Sequence, residues 1–219
     1  MKPRFARQNR AALTWVEVLV VIGVLAAFVL VIITLLIVPA NQGQNLPNTG
    51  IMCVSNLRQI GLTCYVWAGD HGGDFPMRVS MTNNGAMELT ATGNIVTFFQ
   101  VMSNQFPTPK ILLCPADKNQ RAATEFTSLK NPNISYFVGL SATATSPQIL
   151  LSGDDNLMVN GKTVQSGILN LHASDALTWT KERHQGAGNI LLADGSVHQA
   201  TSADLTSTVR LATNRLAIP

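Results

Sequence analysis

Charge is scarce in this chain. Of 219 residues only 12% are Asp, Glu, Lys or Arg, about half the share of an average soluble domain. Asn, Gln, Ser and Thr therefore do much of the solubilising. The formal charge is +3, and Lys2, Arg4, Arg7 and Arg10 supply four cations before residue 12 with no acid among them. Taking those four cations from +3 leaves −1. No basic patch remains to mark a nucleic-acid surface, and no nucleic-acid partner is expected. There are three cysteines, Cys53, Cys64 and Cys114; with no C-x-x-C and no zinc-finger spacing, neither a dithiol redox motif nor a local zinc motif is written in the chain. A nucleophile elbow, a phosphate loop and an H-E-x-x-H helix are all missing, so no enzyme class is signalled. Internal repeats and low-complexity tracts are missing too.

What is present begins at Val18. Val18 to Val38 is 21 residues without charge and with one hydroxyl, Thr34. As a helix it would be roughly 31 Å long, enough to span a bilayer's hydrocarbon core. The basic residues before it should stay in the cytoplasm and place the rest outside. Glu17 stands at the edge of the apolar run. A carboxylate there is expensive and usually functional.

The membrane helix is expected to stop near Val38-Pro39, since a residue preceding proline disfavours helical geometry. Ala40 to Gly50 reads as a polar Gly/Pro/Asn linker. From Ile51 to Ala68, Val54, Leu57, Ile60 with Gly61, and Cys64 recur at three- and four-residue spacing, one buried helical face. Gly69 to Asp74 ends that helix. Short apolar runs predict strands at Ile95 to Phe99, Ile111 to Cys114, Ser135 to Leu140, Gln148 to Ser152 and Asn189 to Ala193. Asp194-Gly195 predicts a tight hairpin turn. Ser202 to Ala217 has a last helical pattern, capped by Thr201 or Ser202. The expected fold is α+β: an N-terminal transmembrane helix, a polar linker, and a second helix packed on an antiparallel sheet.

The basic leader, the apolar helix and Glu17 resemble the N-terminus of type IV prepilins and type II secretion pseudopilins. The resemblance implies cleavage by a prepilin peptidase between Ala12 and Leu13, N-methylation of Leu13, and Glu17 as the fifth mature residue. Ala12 stands where the family more often has Gly, and Leu13 where it has Phe. In that family the Glu is thought to pair with the N-terminal amine of a neighbouring subunit and so to set register. An unpaired carboxylate in an apolar bundle is penalised and a pair offsets much of the cost. Further along, Cys53 to Leu62 is similar to the C-x-x-N-L-[KR]-Q-[IL]-G-L segment of a bacterial group of pseudopilin-like proteins. Asp70 to Pro76 resembles its acidic-Gly turn before Pro, Cys114-Pro115-Ala116-Asp117 its C-P-x-D, and Gly153-Asp154-Asp155-Asn156 a Gly-Asp-x-Asn element. His184 and Asp194-Gly195 match its His-x9-Asp-Gly signature. The implied organisation is leader 1–12, transmembrane and assembly helix 13–39, linker 40–50 and a pilin-like extracytoplasmic domain 51–219. The implied partners are other pilin-like subunits, the prepilin peptidase and methyltransferase, the inner-membrane assembly machinery and the membrane itself.

Cys53 and Cys64 lie on one face of one helix, about 16 Å apart along its axis, too far to bond to each other. A bridge therefore needs Cys114 and either partner; three reduced cysteines are the alternative. The family-like motifs around Cys53 and Cys114 favour that pair and leave Cys64 a buried thiol. His184, Asp194 and His198 suggest a metal or catalytic cluster, but structural hydrogen bonding is the commoner use of such residues. Asp154, Asp155 and Asn156 form an oxygen-rich loop that could take calcium, as some pseudopilins do, although the spacing is not that of an EF-hand. Trp67 and Trp179 are expected in the core and Trp15 at the membrane interface. The expected function is a structural pilin or pseudopilin subunit without catalysis or a resident cofactor. It would be held in the bacterial inner membrane before assembly into a filament. The alternatives are a membrane-anchored ligand-binding module or minor pilin, and an anchored enzyme.

Overall fold

The computed structural model describes residues 15–42, 48–210 and 215–219; Ala12 and Leu13 lie outside them. The chain falls into two compact units, Met1–Pro47 and Asn48–Pro219.

The first unit is described as one helix, α1, Trp15–Gln42, with Glu17 in its first turn. Its described side chains, at 15–29 and 32, are all exposed. Apart from Glu17 and Gly23 they are apolar, and Trp15 is 83% exposed and Phe28 67%. Among the described residues, no helix is long and apolar enough to cross a membrane. The expected stop at Pro39 is corrected: α1 continues through it to Gln42. A proline this close to a helix end removes one bond from the last turns rather than breaking the middle.

The second unit opens with α2, Asn48–Asp70, which begins three residues before the expected Ile51. Helices thus take in 40–42 and 48–50 of the expected linker; 43–47 lie outside the described residues. Of the predicted stripe, Leu57, Ile60, Gly61 and Cys64 are buried while Val54 is only half-buried; Cys53, Trp67 and Ala68 complete the buried face. The helix closes where the backbone N–H groups of His71 and Gly73 both donate to the Ala68 carbonyl. Gly72 and Gly73 follow in left-handed conformation, which glycine adopts without penalty.

Two short helices follow, α3 at Met87–Thr90 and α4 at Ile95–Gln100. The strand expected at Ile95 to Phe99 is thus corrected to helix. Ile95, Phe98, Phe99 and Met102 are buried, at steps of three, one and three; that is helical and not alternating periodicity. Ile111 to Cys114 is likewise not a strand: Pro109–Leu112 forms a 3-10 turn, started by Thr108, whose side chain accepts from the Lys110 N–H.

The strands are β1 Tyr136–Gly139, β2 Leu150–Asp154, β3 Leu157–Val159, β4 Lys162–Thr163, β5 Gly167–Asn170, β6 Leu177–Trp179, β7 Gly188–Leu192, β8 Val197–Ala200 and β9 Arg215–Ile218; α5, Ser202–Arg210, precedes β9. Six strands form one sheet in the order β5-β9-β1-β2-β7-β8, and β4-β3-β6 form a second. Every paired neighbour is antiparallel, so the α+β class with an antiparallel sheet stands. The helix expected over Ser202 to Ala217 is half right. It ends at Arg210, and Arg215–Ile218 becomes a strand inserted between β5 and β1.

The inner strands β9, β1, β2 and β7 are buried on both faces, apart from Arg215, whereas the edge strands β5 and β8 are partly exposed. Tyr136, Val138, Leu151, Leu191 and Ala217 join the core under α2. Their neighbours Phe137, Leu150, Ile190, Leu192, Leu216 and Ile218 face the other way, onto Leu177, Trp179 and Leu205. Alternation sends successive residues to opposite layers. Close approach of α2 to β7 is set at Gly61, where a Cβ would stand 2.9 Å from Leu191 Cδ1. Trp67 and Trp179 are buried in these two cores, at 1% and 3% exposure.

Candidate functional site

Four of the short motifs meet in one place. Cys53 comes from the first turns of α2, and Cys114 from the loop after the Pro109 turn. Asp154 ends β2, and His184 lies just before β7. Cys53 and Cys114 are joined in a disulfide with Cα atoms 5.4 Å apart, and Cys64 is a buried free thiol. The His184 ring, 3% exposed, sets Nε2 3.4 Å from Asp154 Oδ2 and 3.2 Å from Cys114 Sγ. His184 and Gln185 both have left-handed backbone, φ +50° and +59°, a conformation non-glycine residues keep only where the surroundings hold them.

Asp154 is fully buried. Its Oδ2 accepts from the Asn189 N–H at 2.7 Å and from Asn189 Nδ2 at 2.8 Å, while Oδ1 has no hydrogen-bond partner. Burial pushes the Asp154 carboxyl above its usual range, against the pull of His184 and Asn189. On the other side of the bridge, Asn56 donates to the Leu113 carbonyl at 3.1 Å and to the Tyr136 hydroxyl at 3.3 Å, tying α2 to β1 and the Cys114 loop.

Beside this lies a buried ion cluster. The Arg183 side chain is 9% exposed, with Nη1 3.3 Å from Asp117 Oδ2 and Nη2 on Asp155 Oδ1. Asp117 also accepts from Ser135 Oγ at 3.0 Å, and the Ser135 carbonyl accepts from the Asp155 N–H at 3.0 Å and Arg183 Nη1 at 3.5 Å. Burial pushes Asp155 up, and Arg183 pulls it back only in part. Burial also works against the Arg183 cation, but Asp155 and Asp117 more than compensate and raise its pKa, so it stays charged. One side chain thereby clamps three segments: the Asp117 loop, the entry to β1 and the exit from β2.

The structure separates other expected groupings. Asp194 is not near His184. Its Oδ1 accepts from the Ser196 N–H at 2.8 Å and Ser196 Oγ at 2.6 Å, and His198 Nε2 is 3.0 Å from the same hydroxyl. Asp194-Gly195 forms the turn between β7 and β8, with Gly195 at φ +84°, and the Tyr65 hydroxyl donates to the adjacent Ala193 carbonyl. The His and the Asp-Gly of one signature thus sit at opposite ends of β7. Asp154, Asp155 and Asn156 are also sent apart. Asp154 turns to His184 and Asn189, Asp155 to Arg183, and Asn156 Nδ2 donates to the Thr180 carbonyl at 3.4 Å. A calcium ion binding all three would have to displace those partners.

Arg183, Ser135, Asn189 and Tyr136 are the cluster members that the sequence does not reveal. Asp117 had a signal in its C-P-x-D setting; Arg183 had none.

Burial pushes the Cys64 thiol far up, so it stays protonated and poorly nucleophilic. Intact-mass alkylation therefore has a defined outcome. The native chain should take no label without reductant, denaturation should expose one thiol, and reduction with denaturation all three cysteines. Two labels on the native, unreduced chain would contradict the bridge.

No family model, no curated protein and no solved structure matches the chain.

Proposed function

We propose that this protein is a structural pilin-like subunit. A prepilin peptidase would cleave it at Ala12–Leu13 and methylate Leu13, and the mature chain would assemble through its N-terminal helix into a type II secretion pseudopilus or type IV pilus-like filament. One observation carries the reading. In α1 every described side chain is exposed and nearly all are apolar, with a single carboxylate, Glu17, in the first turn. A helix that is apolar all round requires cover, from lipid or from other helices. Lipid before assembly and a bundle of like helices afterwards both satisfy it, and in the bundle Glu17 would meet the Leu13 amine of a neighbouring subunit. The second unit supports the same reading: a helix laid on an antiparallel sheet and stapled by a disulfide suits an oxidising, extracytoplasmic space. In this role its partners are subunits of its own kind, the peptidase and the inner-membrane assembly machinery; it catalyses nothing itself.

The test is assembly of Glu17→Ala compared with wild type. The variant should accumulate in the membrane at wild-type level yet fall by about tenfold or more in the sheared filament fraction, as expected when a low-dielectric ion pair loses one partner. Equal amounts in both fractions would refute the role of Glu17.

A further inference from the structure

The disulfide has two more potential ligands against it. The donor atoms of Cys53, Cys114, Asp154 and His184 all lie within 4.8 Å of one another. Both cysteines and Asp154 are fully buried, and the His184 side chain is 3% exposed. We propose that the reduced form of this chain binds one zinc ion at these four residues, so that Cys53 and Cys114 have two mutually exclusive bonded states, disulfide and zinc thiolate.

The donor set is two sulfurs, an imidazole nitrogen and a carboxylate oxygen, a combination suited to tetrahedral zinc. With ordinary zinc–ligand bond lengths, neighbouring ligand atoms in such a site stand roughly 3.3–3.8 Å apart. The Cys114 Sγ–His184 Nε2 separation of 3.2 Å and the His184 Nε2–Asp154 Oδ2 separation of 3.4 Å already approach those edges. The two sulfurs must part, which breaking their bond allows, and the remaining donor pairs, all within 4.8 Å, need to close by no more than about 1.5 Å. The same imidazole nitrogen, Nε2, faces both the sulfur and the carboxylate, as a ligand nitrogen would.

A second observation points to a ligand. Asp154 Oδ1 is buried without a hydrogen-bond partner, while Asn189 holds Oδ2 with two donors. Asn189 thus orients the carboxylate through Oδ2, the oxygen 3.4 Å from His184 Nε2, and the group keeps acceptor capacity for a metal at Oδ1. The left-handed backbone at His184 and Gln185 accompanies a ring placed inside the cluster, strain of the kind seen at built sites. The four ligands come from four separate segments, so zinc would replace the covalent staple with a wider one.

The chemistry balances with a water-soluble phosphine as reductant. The phosphine attacks one sulfur and opens the S–S bond; it leaves as phosphine oxide with water's oxygen, and water's two hydrogens end on the two sulfurs. Zinc then displaces both thiol protons to solvent.

The experiment uses the full chain in detergent, air-oxidised or phosphine-reduced, equilibrated with zinc and then freed of excess metal. Metal analysis should find one zinc per reduced chain and none in the oxidised chain. Cobalt(II) in place of zinc should give the intense visible bands of a tetrahedral site with thiolate-to-cobalt charge transfer. His184→Asn should weaken zinc binding by about tenfold or more, as even outer-shell changes do at zinc sites. If reduction alone loosens the fold, zinc should restore the near-ultraviolet circular dichroism of the wild type, which keeps the test independent of how the variant folds. No zinc on the reduced chain, equal zinc on the oxidised chain, an octahedral cobalt spectrum, or affinity unchanged by His184→Asn would each overturn the site.

Discussion

A chain carrying both Cys53→Ala and Cys114→Ala is expected to lose roughly 4 kcal/mol of unfolding free energy in urea relative to the oxidised wild type. The bridge closes a loop of 61 residues, and in the chain-entropy model a loop of that size takes about this much from the unfolded ensemble. Such a loss is a large part of the about 5–15 kcal/mol that stabilises a typical domain. In a thermal scan it corresponds to a fall of roughly 8–16 °C. The bridge ties α2 to the loop that feeds β1, so its removal should loosen the α2 layer first. Hydrogen exchange in α2 should therefore rise more than in β7. Cys64→Ala is the comparison: it removes a buried sulfur and no crosslink, and should cost much less. A double variant within about 1 kcal/mol of wild type would mean that the staple adds little to a fold its noncovalent contacts already hold.

The second large effect is at Arg183. Arg183→Met is expected to destabilise the domain by about 3–5 kcal/mol, because it leaves two carboxylates buried beside each other without their cation. Asp117 and Asp155 are 6% and 10% exposed as side chains, so solvent cannot take over the role. Arg183→Lys should recover only part of the loss. A lysine returns the charge but not the planar fork that reaches Asp117, Asp155 and the Ser135 carbonyl at once. Urea midpoints of the two variants check this. If Met and Lys are equally harmless, the cluster is not what holds the β1 entry to the β2 exit.

These two clusters were only partly legible in the sequence. The helix α2 was readable because Leu57, Ile60 with Gly61, and Cys64 recur at three- and four-residue spacing on one face. The β7–β8 hairpin was readable because Asp194-Gly195 is turn chemistry between apolar runs. The Ile95 to Phe99 run was misread because a five-residue apolar string fits strand and helix alike; the burial of Met102 decides the period, and that is tertiary information. Residues Arg215–Ile218 were absorbed into the preceding helix because no Gly or Pro marks the change. The burial of Leu216, Ala217 and Ile218 follows from the insertion of this strand between β5 and β1. Cys53, Cys114, Asp154 and His184 stood in recognisable motifs, but their convergence was not visible, since each sits on a different segment. His184 was instead grouped with Asp194. The five residues of β7 lie between them, and at strand rise these alone span roughly 16 Å. Arg183 carried no local pattern at all: a charged Lys-Glu-Arg-His run ordinarily reads as a solvated loop.

The reading of α1 as an assembly helix depends on where the mature chain begins. The most direct measurement is the intact mass of the protein extracted from its native membrane. The account predicts a chain that starts at Leu13, with or without one added methyl group. A chain that still carries the twelve leader residues, or one cut beyond the apolar run, would contradict it, and the protein would then be an anchored or secreted domain.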